Sequence, residues 1–191
     1  MAKVTVINHV TLDGVMQAPG SADEDARDGF QHGGWAMPNN DEVMSRTLGE
    51  GMMKGGPLLF GRRTYEQFHS YWPRQAHNPF TEVLNNARKY VASTTLSEPL
   101  PWQNSTLLSG NVAAAVARLK QDDDIGVLGS GDLIQSLRAN DLIDSYVLLI
   151  HPLLLGEGRR LFREGPPPAS LRLVDSVTTP KGVVIATYER A

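Results

Sequence analysis

Two short stretches carry residue types that can hold phosphate. LLFGRRTYE (58–66) runs from an apolar segment through Gly61 into Arg62, Arg63 and Thr64, and a helix-forming pattern follows. VLGSGDLIQSL (127–137) repeats that order, with Gly129, Ser130 and Gly131 between an apolar run and a second helix-forming pattern. Glycine lets backbone approach a phosphate closely because no Cβ intervenes. The free N–H groups of a helix start attract anions. A helix start also favours acids over bases, so two arginines there make sense when an anion is held between them. A guanidinium fork binds two phosphate oxygens at once. Strand–glycine–helix turns are common, and GSGDL is not the dinucleotide fingerprint. Two such turns together imply two separated phosphates, hence a dinucleotide, and the arginines imply its phosphorylated form, NADPH.

The elements that must position these turns can be read from periodicity. KVTVINHV (3–10), PLLF (57–60), KYVAS (89–93), STLLS (105–109) and IGVLG (125–129) read as strands, and SYVLLIHPLLL (145–155) as a strand running into a turn. TLDGVMQAPG (11–20) holds the turn signals Asp13-Gly14 and Pro19-Gly20, and residues 21–40 read as a long loop. Helices are expected over 41–53, where Val43, Met44, Leu48 and Met52 share a face, after Thr64, and over 79–86, 112–120 and 130–141. LRLVDSVTT (171–179) and GVVIATYER (182–190) close the chain as a hairpin. Strands and helices alternate through the middle and a hairpin ends it. That order implies an α/β fold: a mixed, mostly parallel sheet with helices on both faces and an antiparallel edge.

Composition narrows the chemistry. With 191 residues, 41% hydrophobic and 20% charged, the chain suits one domain with a sizeable core. A net charge of −3 forces no basic face, so nucleic acid is not an expected partner. Cysteine is absent, which excludes disulfides, thiolate metal sites and cysteine catalysis and suits a reducing cytosol. The N-terminal stretch reads as a strand, not a secretion signal, and no apolar run approaches a membrane span. Histidines 9, 32, 69, 77 and 151 show no paired ligand spacing, so no metal site is expected. His9 and His151 read as structural, and Trp35 and Trp72 as packing or pocket wall.

TLDG (11–14), LLFGRRTYE (58–66), YVAST (90–94), VLGSGDLIQSL (127–137) and LIDSYVLLIHPLLLGEGRRLF (142–162) together resemble the dihydrofolate-reductase-like superfamily. The nearer resemblance is to the reductase domain of the bifunctional riboflavin-biosynthesis deaminase/reductase. It implies a dihydrofolate-reductase-like domain over 1–191, NADPH as cofactor and a homodimer. It also implies roles for residues. Gly61, Arg62, Arg63 and Thr64 would meet cofactor phosphates, and Ser93 and Thr94 would abut the 2′-phosphate. Gly129, Ser130, Gly131, Asp132 and Leu133 would bind the pyrophosphate. Asp13 and Gly14 would lie over the nicotinamide.

Hydride transfer needs geometry and a proton source rather than a catalytic side chain of its own. In folate reductases a Trp-x-x-Pro stretch precedes a helix, with a carboxylate two residues after the proline. WAMPNNDE (35–42) keeps the spacing, but Asn40 holds the acid's position and Asp41 follows it. One residue turns a side chain by about 100° on a helix. Asp41 reads either as a pocket acid or as a helix N-cap, and Asp13 either as a site acid or as a turn residue before glycine. The expectation is an NADPH-dependent reductase of a pyrimidine- or pteridine-like substrate. The riboflavin-pathway reaction would reduce a phosphoribosylamino-uracil. The alternatives are a nucleotide-binding module without turnover and, weakened by Asn40, a stand-alone dihydrofolate reductase.

Overall fold

The strand that opens the chain, β1 (Val4–Thr11), alternates so that Val4 and Val6 face one side of a sheet and Ile7 the other. It lies at the centre of that sheet in the computed structural model, which describes residues 2–53, 55–75 and 78–191, without the side chains of Met52, Met53 and Pro79. The side chain of Met52, expected on the apolar face of the 41–53 helix, and His77 lie outside the described residues.

From β1 the chain passes through α1 (Glu42–Met53) to β2 (Leu58–Gly61), α2 (Arg62–Tyr71), α3 (Pro79–Asn86) and β3 (Lys89–Ala92). It continues through β4 (Ser105–Leu108), α4 (Val112–Leu119), β5 (Ile125–Leu128), α5 (Gly131–Ala139) and β6 (Ser145–His151) to the hairpin of β7 (Leu171–Thr178) and β8 (Val184–Arg190). The eight strands form one sheet in the order β4-β3-β2-β5-β1-β6-β8-β7. Six are parallel, and β8 and β7 add the antiparallel edge. The expected mixed, mostly parallel α/β sheet is what forms.

Helices cover both faces. Val116 of α4 and Leu133, Ile134 and Leu137 of α5 bury against Val4, Val6, Leu59 and Val127. On the other face Met44 of α1 packs on Leu149, Val183 and Ile185, while Tyr65 of α2 and Leu84 of α3 pack on Leu58, Phe60 and Leu128. Strand alternation makes this two-sided core possible: Leu58 and Phe60 point one way, Leu59 the other. The parallel strands are apolar on both faces because helices cover both.

Local chemistry sets the helix ends. Asn78 accepts from the Phe80 N–H (2.9 Å) with Pro79 at the first helical position of α3, and Asn111 accepts from Ala114 N–H (3.0 Å) to cap α4. The helix expected after Thr64 begins earlier, at Arg62, because extended Gly61 is its N-cap, so both arginines lie in its first turn. Residues 21–40 are less loose than their Gly/Asp/Asn content suggests. They include two short 3₁₀ turns, and their Phe30, Trp35 and Ala36 bury with Val15 and Ala18 into a small cluster of their own.

Candidate functional site at the carboxyl ends of the parallel strands

The strand order creates a crevice. β1 connects through α1 to β2 on one side, and β5 connects through α5 to β6 on the other, although β5 and β1 are neighbours. Connections that leave neighbouring strands in opposite directions open a space beyond their carboxyl ends, where α/β folds bind ligands. Pairing of β1 with β5 stops at Ile7 and Leu128, whereas β1 runs on beside β6 to Thr11 and His151. The end of β1 is therefore unpaired on the β5 side, facing the Gly129–Gly131 turn.

The two glycine turns meet there. Ser130 is the knot: its Oγ accepts from Gly61 N–H (2.8 Å) and donates to Leu128 O (2.9 Å), while its own N–H donates to Thr64 Oγ1 (3.1 Å). Its backbone is left-handed (φ 65°), an uncommon conformation for a residue with a side chain. Gly129 also has positive φ (54°), and a Cβ there would stand 2.9 Å from Thr64 Cγ2. The turns that sequence reading kept apart are one unit.

This unit leaves helix N–H groups free. α1 is capped by Asp41 and α3 and α4 by asparagines, but α2 and α5, which open from the glycine turns, have no side-chain cap. Ser130, a favoured capping residue, spends its hydroxyl on the knot instead. The first internal bond of α5 is from Ile134 N–H to Ser130 O, so the N–H groups of Gly131, Asp132 and Leu133 precede it. The Leu133 side chain is buried in the core and contributes backbone alone. Arg62 pairs with Glu66 one turn on (2.8 Å), and Arg63 is exposed with no ion pair among the described residues. Gly61 pairs in register with Ala92, which sets Ser93 and Thr94 beside Arg62 and Arg63 at adjoining strand ends. Ser93 Oγ accepts from Thr95 and Leu96 N–H and closes its own turn, and Thr94 is exposed.

Asp132 gathers arginines that sequence reading did not single out. Its carboxylate lies 2.7 Å from Arg163, 3.9 Å from Arg27 and 4.0 Å from Arg159. The hydrogen bond from Arg163, outweighing burial, holds its pKa below the usual carboxylate value. Arg163 also reaches over the turn: a Cβ on Gly131 would meet its Nη2 at 3.1 Å and Met16 Sδ at 3.0 Å. Arg163 comes from the loop after β6, and no local motif links it to residue 131.

The two candidate acids are both committed. Asp13 accepts from Thr11 Oγ1 (2.5 Å), Leu155 N–H (3.3 Å) and Gly156 N–H (2.8 Å), clamping the TLDG turn to the loop after β6. Gly14, whose φ is 81°, completes that turn, its N–H donating to Thr11 O. The Thr11 hydrogen bond lowers the Asp13 pKa. Asp41 accepts from Met44 N–H (2.9 Å) and Lys181 N–H (3.3 Å), and the Met44 bond is the main cause of its lowered pKa. Both geometries match the structural alternative: Asp41 is a helix cap that also anchors the β7–β8 turn, and Asp13 is a loop clamp. A carboxylate held ionised does not suit a proton donor.

On the α1 side of the crevice lie His9 and His151, which the sequence alone presents as structural. His9 Nδ1 and His151 Nε2 are 2.9 Å apart. Trp35 stands edge-on to the His151 ring at 5.2 Å, with its Nε1–H donating to Gln17 O (2.6 Å). Burial lowers the pKa of His9 to about 3 and of His151 to about 4. Adjacency across a parallel strand pair is invisible in sequence, where these residues are 142 positions apart. No metal-ligating cluster occurs among the described residues.

Comparison with known proteins agrees with this architecture. The family model for the RibD C-terminal domain matches residues 2–185. Two Bacillus subtilis (strain 168) proteins, both uncharacterized, are similar. YyaP is 30% identical over 138 residues, covering 69% of this chain and 72% of that protein. YwjB is 32% identical over 123 residues, covering 61% and 63%. Among solved structures, a Shewanella sp. PV-4 protein assigned to riboflavin biosynthesis superposes with TM-score 0.69 at 22% identity, over 99% of both chains. A pyrimidine reductase-like protein from Corynebacterium diphtheriae gives TM-score 0.67 at 14% identity, over 100% of this chain and 92% of the other.

Proposed function

The chain belongs to the RibD C-terminal domain family, and from that premise we propose that it is an NADPH-dependent reductase of a small pyrimidine- or pteridine-like compound. The reaction would be similar to reduction of 5-amino-6-(5-phosphoribosylamino)uracil. The observation that carries this reading is the knot at Ser130, which brings two uncapped helix starts together at the carboxyl ends of β2 and β5, beside the switch point between β5 and β1.

The residues suit the cofactor. The N–H groups of Gly131, Asp132 and Leu133 offer a pyrophosphate cradle in which the absence of a Cβ at Gly131 matters. Arg62 and Arg63, with Ser93 and Thr94 alongside, supply the charge and hydroxyls for a 2′-phosphate. Thr64 and Gly61 hold the turn's shape through Ser130. When bound, the nicotinamide supplies hydride. The protein's part would be to hold and orient the ring, with the Asp13–Gly14 turn offering one wall. Neither Asp13 nor Asp41 is a ready proton donor, so the proton comes from water or from a neutral group in the crevice.

The test is calorimetric titration with NADPH and NADH, on wild type and on the double variant Arg62→Ala, Arg63→Ala. The expected result is a preference for NADPH that falls by roughly tenfold or more in the variant, since even one charge-assisted contact contributes about 1.5–3 kcal/mol. No binding of either cofactor by the wild type would sink the reductase reading. A second reading, binding without turnover, draws on the committed state of both aspartates; bound cofactor left unoxidised across a broad heterocycle panel would favour it.

We also place the protein in the cytosol, as one domain over 1–191, paired with a second copy. Support for pairing comes from β7, an edge strand exposed along nearly its whole length with Leu173 51% and Val174 38% exposed. Free strand edges bearing apolar side chains invite strand pairing. Sedimentation equilibrium should give twice the chain mass for wild type and a monomer for Leu173→Asp; a wild-type monomer would remove the proposal.

A further inference from the structure

Two imidazoles 2.9 Å apart share a single hydrogen bond, and which ring donates is decided by the nitrogens they do not share. His151 is fully buried, and its Nδ1 is a buried atom without a partner among the described residues. Were His151 to carry its proton on Nδ1, a buried N–H would be left unsatisfied. A bare lone pair there is the lesser cost. The proton of His151 therefore sits on Nε2 and is donated to His9 Nδ1. That leaves His9, as a neutral ring, with its proton on Nε2. His9 is only half-buried, and its Nε2 has no protein partner among the described residues and is not among the fully buried unpaired atoms, so it is the ring nitrogen left for a ligand.

The position of that N–H matters. His9 lies on the β1 segment beyond Leu128, where β1 has lost its β5 neighbour, and opposite Leu149 in register. It is on the same sheet face as Ile7, which packs with Met44 of α1. We propose that His151, closed in by Trp35, fixes His9 as an Nε2–H donor into the crevice. There it would take an acceptor atom, a ring carbonyl oxygen or imine nitrogen, of a planar heterocycle lying between the sheet and α1. This rests on the reductase reading for the ligand's class, but the donor assignment stands on its own geometry. His9 is thus a specificity-determining residue: a heterocycle that presents a carbonyl at this point is bound, and one that presents a second donor leaves two N–H groups facing each other.

The test uses ¹⁵N-histidine-labelled full-length protein at neutral pH, followed by titration with 6-aminouracil with and without saturating NADP⁺. Long-range ¹H–¹⁵N correlation should show His9 protonated at Nε2 and His151 at Nε2. In titration, His9→Phe should weaken 6-aminouracil binding by roughly tenfold, the size of one lost hydrogen bond. His9→Gln, whose amide nitrogen lies near the Nε2 position, should recover most of that loss, and His9→Asn should not. A proton on His9 Nδ1, no binding of 6-aminouracil at millimolar concentration, or equal affinity in His9→Phe each overturns the proposal. Loss of NADP⁺ binding alone, with the histidine pattern and the cofactor-free titration intact, would instead count against the reductase reading.

Discussion

Lys89→Met is expected to lower the melting temperature by roughly 5–10 °C, taking about 2–3 kcal/mol lost at 2–4 °C per kcal/mol for a chain of this size. Lys89 is 1% exposed, at the start of β3. Its Nζ donates to the carbonyls of Leu84 (2.7 Å), Asn85 (3.2 Å) and Ala87 (2.8 Å), and it lies 4.6 Å from the Trp102 ring centroid. These carbonyls lie at the C-terminal end of α3, where helix carbonyls have no internal partner and partial negative charge collects. Methionine fills the space but leaves the Leu84 and Ala87 carbonyls without this donor, while that of Asn85 keeps the amides of Gln103 (3.0 Å) and Asn104 (3.3 Å). Removing the cost of burying the cation, the same cost that lowers the Lys89 pKa, works the other way and offsets part of the penalty of about 1–3 kcal/mol for each carbonyl left without a donor. Burial lowers the Lys89 pKa from 10.5 to about 8, so it still holds its proton at neutral pH. Between those two values the unfolded chain binds the proton more tightly than the folded one. Wild type should therefore gain stability relative to Lys89→Met as pH rises from about 8 toward 10.5. Thermal melts of both proteins across that range check both statements, and an unchanged melting temperature would show that the cation is dispensable. Lys89 is at the opposite end of β3 from the crevice, so cofactor affinity serves as the control and should not move.

Gly129→Ala is the second large effect, and it strikes binding and stability together. The substitution places a methyl group 2.9 Å from Thr64 Cγ2 and 3.2 Å from Thr64 Oγ1, in a backbone with φ of 54°. The left-handed backbone alone costs about 1–2 kcal/mol for a non-glycine residue. Displacing Thr64 also breaks its bond with the Ser130 N–H, the contact that holds the α2 start against the α5 start. The expected loss is about 2–4 kcal/mol of stability, with NADPH affinity falling more than tenfold because the two turns proposed to hold its phosphates separate. Adding Thr64→Ser removes the offending methyl and keeps the hydroxyl, so the double variant should regain part of both. Chemical denaturation and calorimetry on the single and double variants decide this. If Gly129→Ala binds NADPH as wild type does, the knot is not what shapes the cofactor site.

What the sequence determined by itself was local. Alternation marked the strands, 3.6-residue periodicity marked the helices, and the order of the two was enough for a mixed, mostly parallel sheet covered on both faces. The glycine turns were legible for the same reason: glycine and arginine at a strand-to-helix junction act through backbone only a few residues away. Tertiary structure decided everything that depends on strands distant in the chain lying side by side. It tied Ser130 to Gly61 and Thr64, turned Asp13 into a clamp on residues 155–156, and brought Arg163 over Gly131. It also set His9 against His151, with the Nδ1 of His151 buried and unpaired among the described residues. A hydrogen bond reaches about 3 Å, and which groups come that close across a sheet is fixed by strand order and register, which local pattern does not encode.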